Sequence, residues 1–134
     1  MDSYGRGGHS KFSMKVHLIF VAKYRKKLFV TKQLVGDVKQ FMYDGAIKYG
    51  YRILEMETDK DHIHILLDYR PNVPVSLIVK QLKQYSTYQM WKHHEWYLKQ
   101  EFWKHRTLWS DGYFACSIGQ VSQTIIERYI QNQG

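Results

Sequence analysis

The segment from Met14 to Lys23 is predicted to be the first strand. From Val16 to Ala22, only His17 interrupts a run of apolar residues. Strands that are buried on both faces show such runs, so the pattern predicts a central strand of a sheet. The basic segment from Lys23 to Lys27 follows it as a loop.

A helical pattern occupies the next twenty residues. Apolar residues recur there at spacings of three and four, which is typical of a helix with one buried face. Thr31 is suited to cap the start of this helix and Gly50 to end it. Gly36 and Gly45 lower its intrinsic helix propensity. The predicted stripe consists of Leu34, Val35, Val38, Phe41, Met42 and Tyr49.

Two further strands are predicted on either side of an acidic turn. Tyr51 to Glu57 forms the second strand, and the turn follows at Asp59 to Asp61, where Asp is common for conformational reasons. In the third strand Ile63, Ile65 and Leu67 alternate with other residues at period two. Prolines then interrupt the chain at positions 71 and 74.

A second helix is predicted from about Val75 to His93. Its inward positions are Val75, Ile78, Val79, Leu82 and Met90, whereas Lys80, Lys83 and Lys92 are expected to lie towards solvent. The pattern from His94 to Arg106 fits either a short helix or a packed loop. We interpret His93, His94 and His105 as surface or loop residues.

The last elements are a strand from Leu108 to Ile118, interrupted at Asp111 and Gly112, and a helix that begins at Ser122. Val121 and Ile126 are spaced as a hydrophobic staple for that helix. The order β-α-β-β-α-β-α predicts an α+β fold, with a ferredoxin-like split βαβ antiparallel sheet and an additional C-terminal helix. Residues 1–134 are expected to form a single domain, with 1–13 as a flexible N-terminal arm.

Charge and composition indicate a polyanionic partner. The chain carries 20 Lys and Arg against 12 Asp and Glu, a net charge of +8, which favours nucleic acid over a merely basic surface. Eleven Tyr and four Trp are suited to stacking on the bases of single strands, although most of these rings must be in the core.

The chain contains no apolar run long enough to span a membrane and no apolar leader segment, so we expect a cytoplasmic protein. Its single cysteine, Cys116, has no partner for a disulfide or a structural zinc site. Phosphate-binding loops of the Walker and dinucleotide types are also absent from the sequence.

His62 and His64 are the candidates for chemistry. Residues i and i+2 of a strand point to one face, so these imidazoles would stand roughly 6.6 Å apart at the backbone and could converge on one metal ion. Two imidazoles favour zinc, manganese or another transition metal over magnesium. A chance spacing in a His-rich chain is the alternative. Tyr129 and Gln133, at i and i+4, share one face of the last helix, and periodicity alone gives Tyr129 no special role.

Four blocks in the same order resemble one family. EMETDKDHIHIL, from Glu55 to Leu66, resembles the signature of the single-tyrosine HUH transposases of the smallest insertion sequences, the IS200-like transposase family. HUH denotes His, a hydrophobic residue and His. The other blocks are HLIF at 17–20 with KYR at 23–25, LW at 108–109, and YIQNQ at 129–133. The resemblance covers about residues 14 to 133.

The resemblance implies a role for each matching residue. Tyr129 is expected to be the nucleophile, and His62, His64 and Gln133 the ligands of a divalent metal ion, Mg²⁺ or Mn²⁺. The implied reaction cleaves single-stranded DNA at the ends of an element, leaves a 5′-phosphotyrosine link with a free 3′-hydroxyl, and later rejoins DNA. The covalent link conserves the energy of the phosphodiester bond, so no ATP is needed.

The family also implies partners. It works as a homodimer, in which the tyrosine helix of one subunit can serve the histidines of the other, and it recognises hairpins near the element ends. Candidate DNA-contacting residues are Lys23, Tyr24, Arg25, Lys26, Lys27, Lys80 and Lys83. Solvated surface charge is the alternative role for the cationic ones.

Two other functions remain open on the sequence. A βαββαβ sheet with aromatic and basic residues also describes nucleic-acid-binding modules of the RRM type. That interpretation gives His62, His64 and Gln133 no purpose. A related HUH nickase, replication initiator or host-domesticated protein would share the chemistry without moving an element.

Overall fold

The computed structural model describes residues 14–116 and 123–133, with the backbone alone for 123–126. The strands are β1 (Met14–Val21), β2 (Arg52–Thr58), β3 (His62–Tyr69) and β4 (Phe114–Cys116). The helices are α1 (Lys32–Tyr49), α2 (Val75–His93), α3 (Glu95–Glu101) and α4 (Gln123–Gln131), and a single 3₁₀ turn covers Lys23–Arg25.

The strands form one antiparallel sheet in the order β2-β3-β1-β4. The connection from β1 through α1 to β2 passes over β3, and the connection from β3 through α2 and α3 to β4 passes over β1. This interleaving of two βαβ units confirms the predicted split βαβ fold.

The central strand β1 is buried on both faces, as its apolar run predicts. Leu18 and Phe20 face the main core under α1 and α2, whereas Ile19 and Val21 pack against Tyr129 and other apolar side chains on the opposite face. A fully buried apolar side chain contributes roughly 1.5–3 kcal/mol. The same strand therefore holds α1 and α2 on one face of the sheet and α4 on the other.

The caps of α1 are those that the sequence predicts. The Thr31 side chain accepts a hydrogen bond from the Leu34 amide at 3.1 Å. Gly50 adopts the left-handed conformation, with φ of 87°, which glycine tolerates without steric cost. The predicted apolar stripe is wrong at its last position, because Tyr49 is 37% exposed and Ala46 takes the buried place.

Several boundaries differ from the prediction. Within the strand expected from Leu108 to Ile118, the described residues form β4 at Phe114–Cys116, whereas Trp109 makes an isolated bridge to Ala22. The chain bends at Asp111 between them, and positions 117 and 118 lie outside the residues described. The ambiguous segment after His94 is a short helix, α3, followed by a loop. The predicted N-terminal arm, the helix start at Ser122 and the staple lie outside the residues described.

No helix in the described part of the chain combines the length and the apolar character needed to cross a membrane.

Gly45 allows α1 and α2 to approach closely. A Cβ atom at Gly45 would lie 3.0 Å from Cδ2 of Tyr85 on α2, closer than side chains ordinarily pack. Gly36, on the exposed side of the same helix, has no atom within 4 Å of its virtual Cβ. Close packing therefore requires a glycine at position 45 of α1 but not at position 36.

We expect Gly36→Ala to stabilise the protein by about 0.5–1 kcal/mol, because alanine has the higher helix propensity. Gly45→Ala gains the same propensity but displaces the Tyr85 ring, so its effect should be less favourable by about 1 kcal/mol or more. Urea denaturation of both variants measures this difference. Equal stabilisation by the two substitutions would contradict the close packing of α1 and α2.

Candidate active site

His62 and His64 lie side by side on β3, on the face of the sheet that α4 covers. Their Nε2 atoms are 3.0 Å apart and their ring centroids 4.8 Å apart. The β1 residues opposite them are Val21 and Ile19, which the ladder places on the same face. The predicted convergence of the two imidazoles is therefore present in the fold.

Asp61 orients the first of these rings. Its Oδ1 lies 2.8 Å from Nδ1 of His62, and its Oδ2 accepts a hydrogen bond of 3.3 Å from Nε of Arg25. Burial alone would raise the pKa of Asp61, but the hydrogen bonds from His62 and Arg25 outweigh it and lower that pKa. An ionised carboxylate at Nδ1 keeps the proton there and leaves the Nε2 lone pair of His62 for a ligand.

His64 is uncharged at neutral pH. Burial lowers its pKa to about 4, with further lowering by His62 and His17, while the Asp59 carboxylate opposes the shift. The His17 ring, on the adjacent strand, has its centroid 5.6 Å from that of His64. Neutral imidazole is the form that binds metal ions, so His64 is a competent ligand at physiological pH.

The histidine pair fits a divalent ion. Neighbouring ligands of an octahedral ion lie about 3 Å apart when each metal–ligand distance is about 2.1 Å, which matches the separation of the two Nε2 atoms. Within residues 14–116 and 123–133, no three His, Cys, Asp or Glu side chains are placed to hold a metal ion. Additional ligands would have to include another residue type, substrate or water.

Tyr129 lies on the side of α4 that faces β4. Its ring centroid is 5.4 Å from that of Phe114 on β4, and its hydroxyl is 3.7 Å from the position of a Cβ on Gly112. The hydroxyl is buried and has no hydrogen-bond partner among the described residues. Burial raises the pKa of Tyr129 to about 12, and Tyr113 adds to the effect.

Gln133 lies beside Tyr129, as their spacing predicts. Helix α4 ends at Gln131, so Gln133 belongs to the turn that follows. The Oε1 atom of Gln133 accepts a hydrogen bond of 3.0 Å from Oγ of Ser110 and is 3.5 Å from the Cβ position of Gly112. The two residues thus form a second cluster, on the β4 side of the helix.

A cavity of about 480 Å³ adjoins the histidines. The α4 residues that line it are Glu127, Ile130 and Gln131. The structure therefore brings His62 together with His64, and Tyr129 together with Gln133, but neither residue of the second pair lines the cavity. A larger cavity, of about 750 Å³, lies between α2 and residues 106–111 and contains none of these four residues.

The candidate DNA contacts from the 3₁₀ turn are partly engaged within the protein. Lys23 pairs with Asp111 at 3.4 Å and Lys26 with Glu101 at 3.7 Å, and Arg25 is bound to Asp61 as described. Tyr24 is 64% exposed and, like Arg25, has a left-handed backbone that costs a residue with a Cβ roughly 1–2 kcal/mol. Lys27 and Lys80 are exposed.

The expectation that Lys83 lies towards solvent is wrong. Its side chain is half-buried, and its Nζ donates to the carbonyl oxygens of Ser110, Asp111 and Gly112 at 2.8, 3.3 and 2.8 Å. Burial lowers the pKa of Lys83 to about 8, against the opposing charge of Asp111. The ammonium form therefore still predominates at neutral pH. The position of Lys83 at the edge of the apolar stripe of α2 does not predict this contact.

Sequence reasoning also missed Asp61, Arg25 as its partner, and His17. The acidic turn by itself accounts for an aspartate at position 61, but a carboxylate directly before a candidate ligand histidine also indicates a partner for that histidine. His17 is adjacent to His64 only through the pairing of β1 with β3, which periodicity does not reveal.

Comparison with known proteins decides the family. The model of the family described as "Transposase IS200 like" matches residues 10–133. The chain belongs to the IS200-like transposase family. Among curated relatives, the ISDra2 transposase TnpA of Deinococcus radiodurans is 30% identical over 122 residues, covering 91% of this chain and 85% of that protein. The transposase of insertion sequence element IS200 from Salmonella typhimurium is 30% identical over 128 residues, covering 93% and 80%.

Solved structures agree with this family assignment. A candidate transposase from Deinococcus radiodurans R1 is 30% identical and superposes with a TM-score of 0.84, over 98% of this chain and 97% of the other. A REP-associated tyrosine transposase bound to a REP hairpin has a TM-score of 0.55 at 10% identity, over 97% and 68%, and so shares the fold. The protein is therefore a transposase by family, and an RRM-type binding module is disfavoured.

Proposed function

We propose that this family member cleaves and rejoins single-stranded DNA at the ends of an insertion element through a 5′-phosphotyrosine intermediate on Tyr129. The observation that carries the proposal is the pair of Nε2 atoms 3.0 Å apart, with Asp61 behind one ring and a depressed pKa on the other. A structural role would not require two imidazoles to converge at the wall of an open cavity.

The proposed reaction is a transesterification. The Tyr129 oxygen forms a bond to a backbone phosphorus, the bond from that phosphorus to the 3′ oxygen breaks, and the phenolic proton is lost while the 3′ oxygen gains one. The reverse reaction, with a 3′-hydroxyl from the same or another strand, rejoins DNA and releases the tyrosine. One phosphodiester replaces another in each direction, so no nucleotide cofactor is consumed.

His62, His64 and Gln133 are the proposed ligands of Mg²⁺ or Mn²⁺. When bound, such an ion polarises the phosphate and stabilises the charge that develops during transfer. The protein's own contribution is to orient the first imidazole through Asp61 and Arg25 and to keep His64 neutral by burial. Gln133 would have to leave its hydrogen bond with Ser110 to join them.

Tyr129 does not line the cavity at the histidines of its own chain. Its hydroxyl is buried beside Gly112, and the cavity at the histidines is lined by other α4 residues. We therefore propose that the protein acts as a homodimer in which Tyr129 and Gln133 of one subunit serve the histidines of the other.

For DNA recognition we propose hairpins near the element ends as the target. Tyr24 is exposed and available for stacking on a base, and Lys27 and Lys80 are exposed for contact with phosphates. A fold relative is described as bound to a REP hairpin, which is consistent with this target.

The primary test is adduct formation. Single-stranded oligonucleotides that contain candidate element ends, incubated with the protein and Mg²⁺ or Mn²⁺, should give a denaturation-resistant protein–DNA product. Tyr129→Phe and His62→Ala should each abolish it, whereas Tyr113→Phe, which keeps the nucleophile, should not. A product that persists in Tyr129→Phe, or the absence of a product on every end sequence tried, would refute the proposal.

Removal of the Asp61 carboxylate should weaken metal binding. A carboxylate that bonds to the other ring nitrogen of a metal-binding histidine contributes about 10–100-fold in metal affinity, so Asp61→Asn should raise the Kd for Mn²⁺ by that factor. Paramagnetic resonance of free Mn²⁺ measures the change. Asp59→Asn is the control, because the Asp59 residue lines the same cavity and bonds to His62 only through its backbone amide, which the substitution keeps. Equal losses in both variants would remove the special role of Asp61.

Shared active sites can be tested by mixing subunits. Tyr129→Phe and His62→Ala proteins should each be inactive alone, but mixed dimers isolated with two different tags should regain cleavage. In such a dimer, one site combines the intact histidine pair of the Tyr129→Phe subunit with the intact tyrosine of the His62→Ala subunit. Recovery of up to half of the wild-type activity is expected, and mixed dimers that stay inactive would show that Tyr129 acts within its own chain.

A further inference from the structure

The ammonium group of Lys83 is enclosed by backbone oxygens. Its three hydrogen-bond acceptors are the consecutive carbonyls of Ser110, Asp111 and Gly112. An ammonium group has three N–H donors and no acceptor, so these contacts use its full donor capacity. The Nζ also lies 5.5 Å from the centre of the Phe20 ring and 5.9 Å from that of Tyr113.

The carbonyls belong to a loop whose first half is held by other contacts. The Trp109 indole donates to Oγ of Ser86 at 2.9 Å, and the Ser110 amide donates to the Val21 carbonyl at 2.8 Å. Beyond Ser110, Lys83 donates to the carbonyls of Asp111 and Gly112, and Lys23 pairs with the exposed carboxylate of Asp111. Lys83 therefore fixes the backbone of the second half of this loop.

The second half of the loop faces the proposed nucleophile and metal ligand. The Tyr129 hydroxyl and the Gln133 amide both lie within 3.5–3.9 Å of the Cβ position of Gly112. Ser110 also donates directly to Gln133. One ammonium group thus connects α2 with both residues through a three-residue loop.

We propose that Lys83 is a positioning residue, which fixes the 110–112 loop so that Tyr129 and Gln133 are held in a defined place between cleavage events. This inference rests on the proposed function of those two residues. It replaces the expectation that Lys83 contacts DNA phosphates, because an ammonium group with three carbonyl partners would have to break its own contacts to bind a phosphate.

Loss of the Lys83 ammonium group should destabilise the 110–112 loop. Three carbonyl dipoles converge on the ammonium group, and without it they repel one another and lack a donor. Methionine fills similar space without supplying donors, so the loop in Lys83→Met must change conformation or admit water. A loosened loop should release Tyr129 and Gln133 more readily from the place where they are held between cleavage events.

The test compares Lys83→Met with Lys92→Met, at an exposed lysine in the last turn of the same helix. At saturating single-stranded DNA, Lys83→Met should raise the single-turnover cleavage rate, because it loosens the place where Tyr129 and Gln133 are held between cleavage events. The Kd for DNA and its salt dependence should be unchanged. Lys92→Met should cleave at the wild-type rate, and Lys83→Arg, which retains a cationic donor, should stay closer to that rate than Lys83→Met. A cleavage rate in Lys83→Met equal to that of Lys92→Met would contradict the inference.

Amide hydrogen exchange provides a readout that does not depend on cleavage. In Lys83→Met, exchange should increase about tenfold or more in residues 110–116 and 123–133 while α1 stays protected. Unchanged exchange there would overturn the inference even if the wild-type protein cleaved no DNA tested. A weaker Kd with a salt slope reduced by about one, and a normal rate at saturation, would instead identify Lys83 as a phosphate contact.

Discussion

The antiparallel pairing of β1 with β3 determines where the proposed site residues lie. It sets Val21 opposite His62 and Ile19 opposite His64. The same two β1 residues are the apolar patch on which α4 packs. Because side chains alternate along a strand, a slip of one residue would place both imidazoles in the core beneath α1 and α2. Burial of β1 on both faces makes that slip costly.

The same packing explains why α4 separates into two functional sides. Tyr129 is two residues from both Glu127 and Gln131, about 200° around a helix, so a face that presents those residues to the histidine cavity turns the tyrosine towards β4. There its hydroxyl is buried, its pKa is raised to about 12, and attack on a phosphate is disfavoured. The proposed sharing of sites between subunits follows from this separation.

The sequence predicts those features of the fold that depend on interactions between neighbouring residues. The Thr31 cap, the Gly50 stop and the two-sided β1 each depend on a few neighbouring residues, and the structure contains all three. The convergence of His62 and His64 follows from strand alternation in the same way.

Contacts between distant segments could not be predicted from such signals. Lys83 lies at a helix position that is compatible with solvent, yet its long stem carries the ammonium group to carbonyls 27 to 29 residues later. The role of Asp61 depends on Arg25 from another loop. The direction of the Tyr129 side chain depends on how α4 packs against Ile19 and Val21.

Mass spectrometry can localise the covalent link between DNA and protein. The protein is incubated with an end-derived single strand, digested with nuclease and protease, and the modified peptide is fragmented. We expect a nucleotide joined through its 5′-phosphate to Tyr129 and an upstream DNA fragment that ends in a 3′-hydroxyl. A nucleotide on any other residue, or cleaved DNA with no nucleotide attached to the protein, would contradict it.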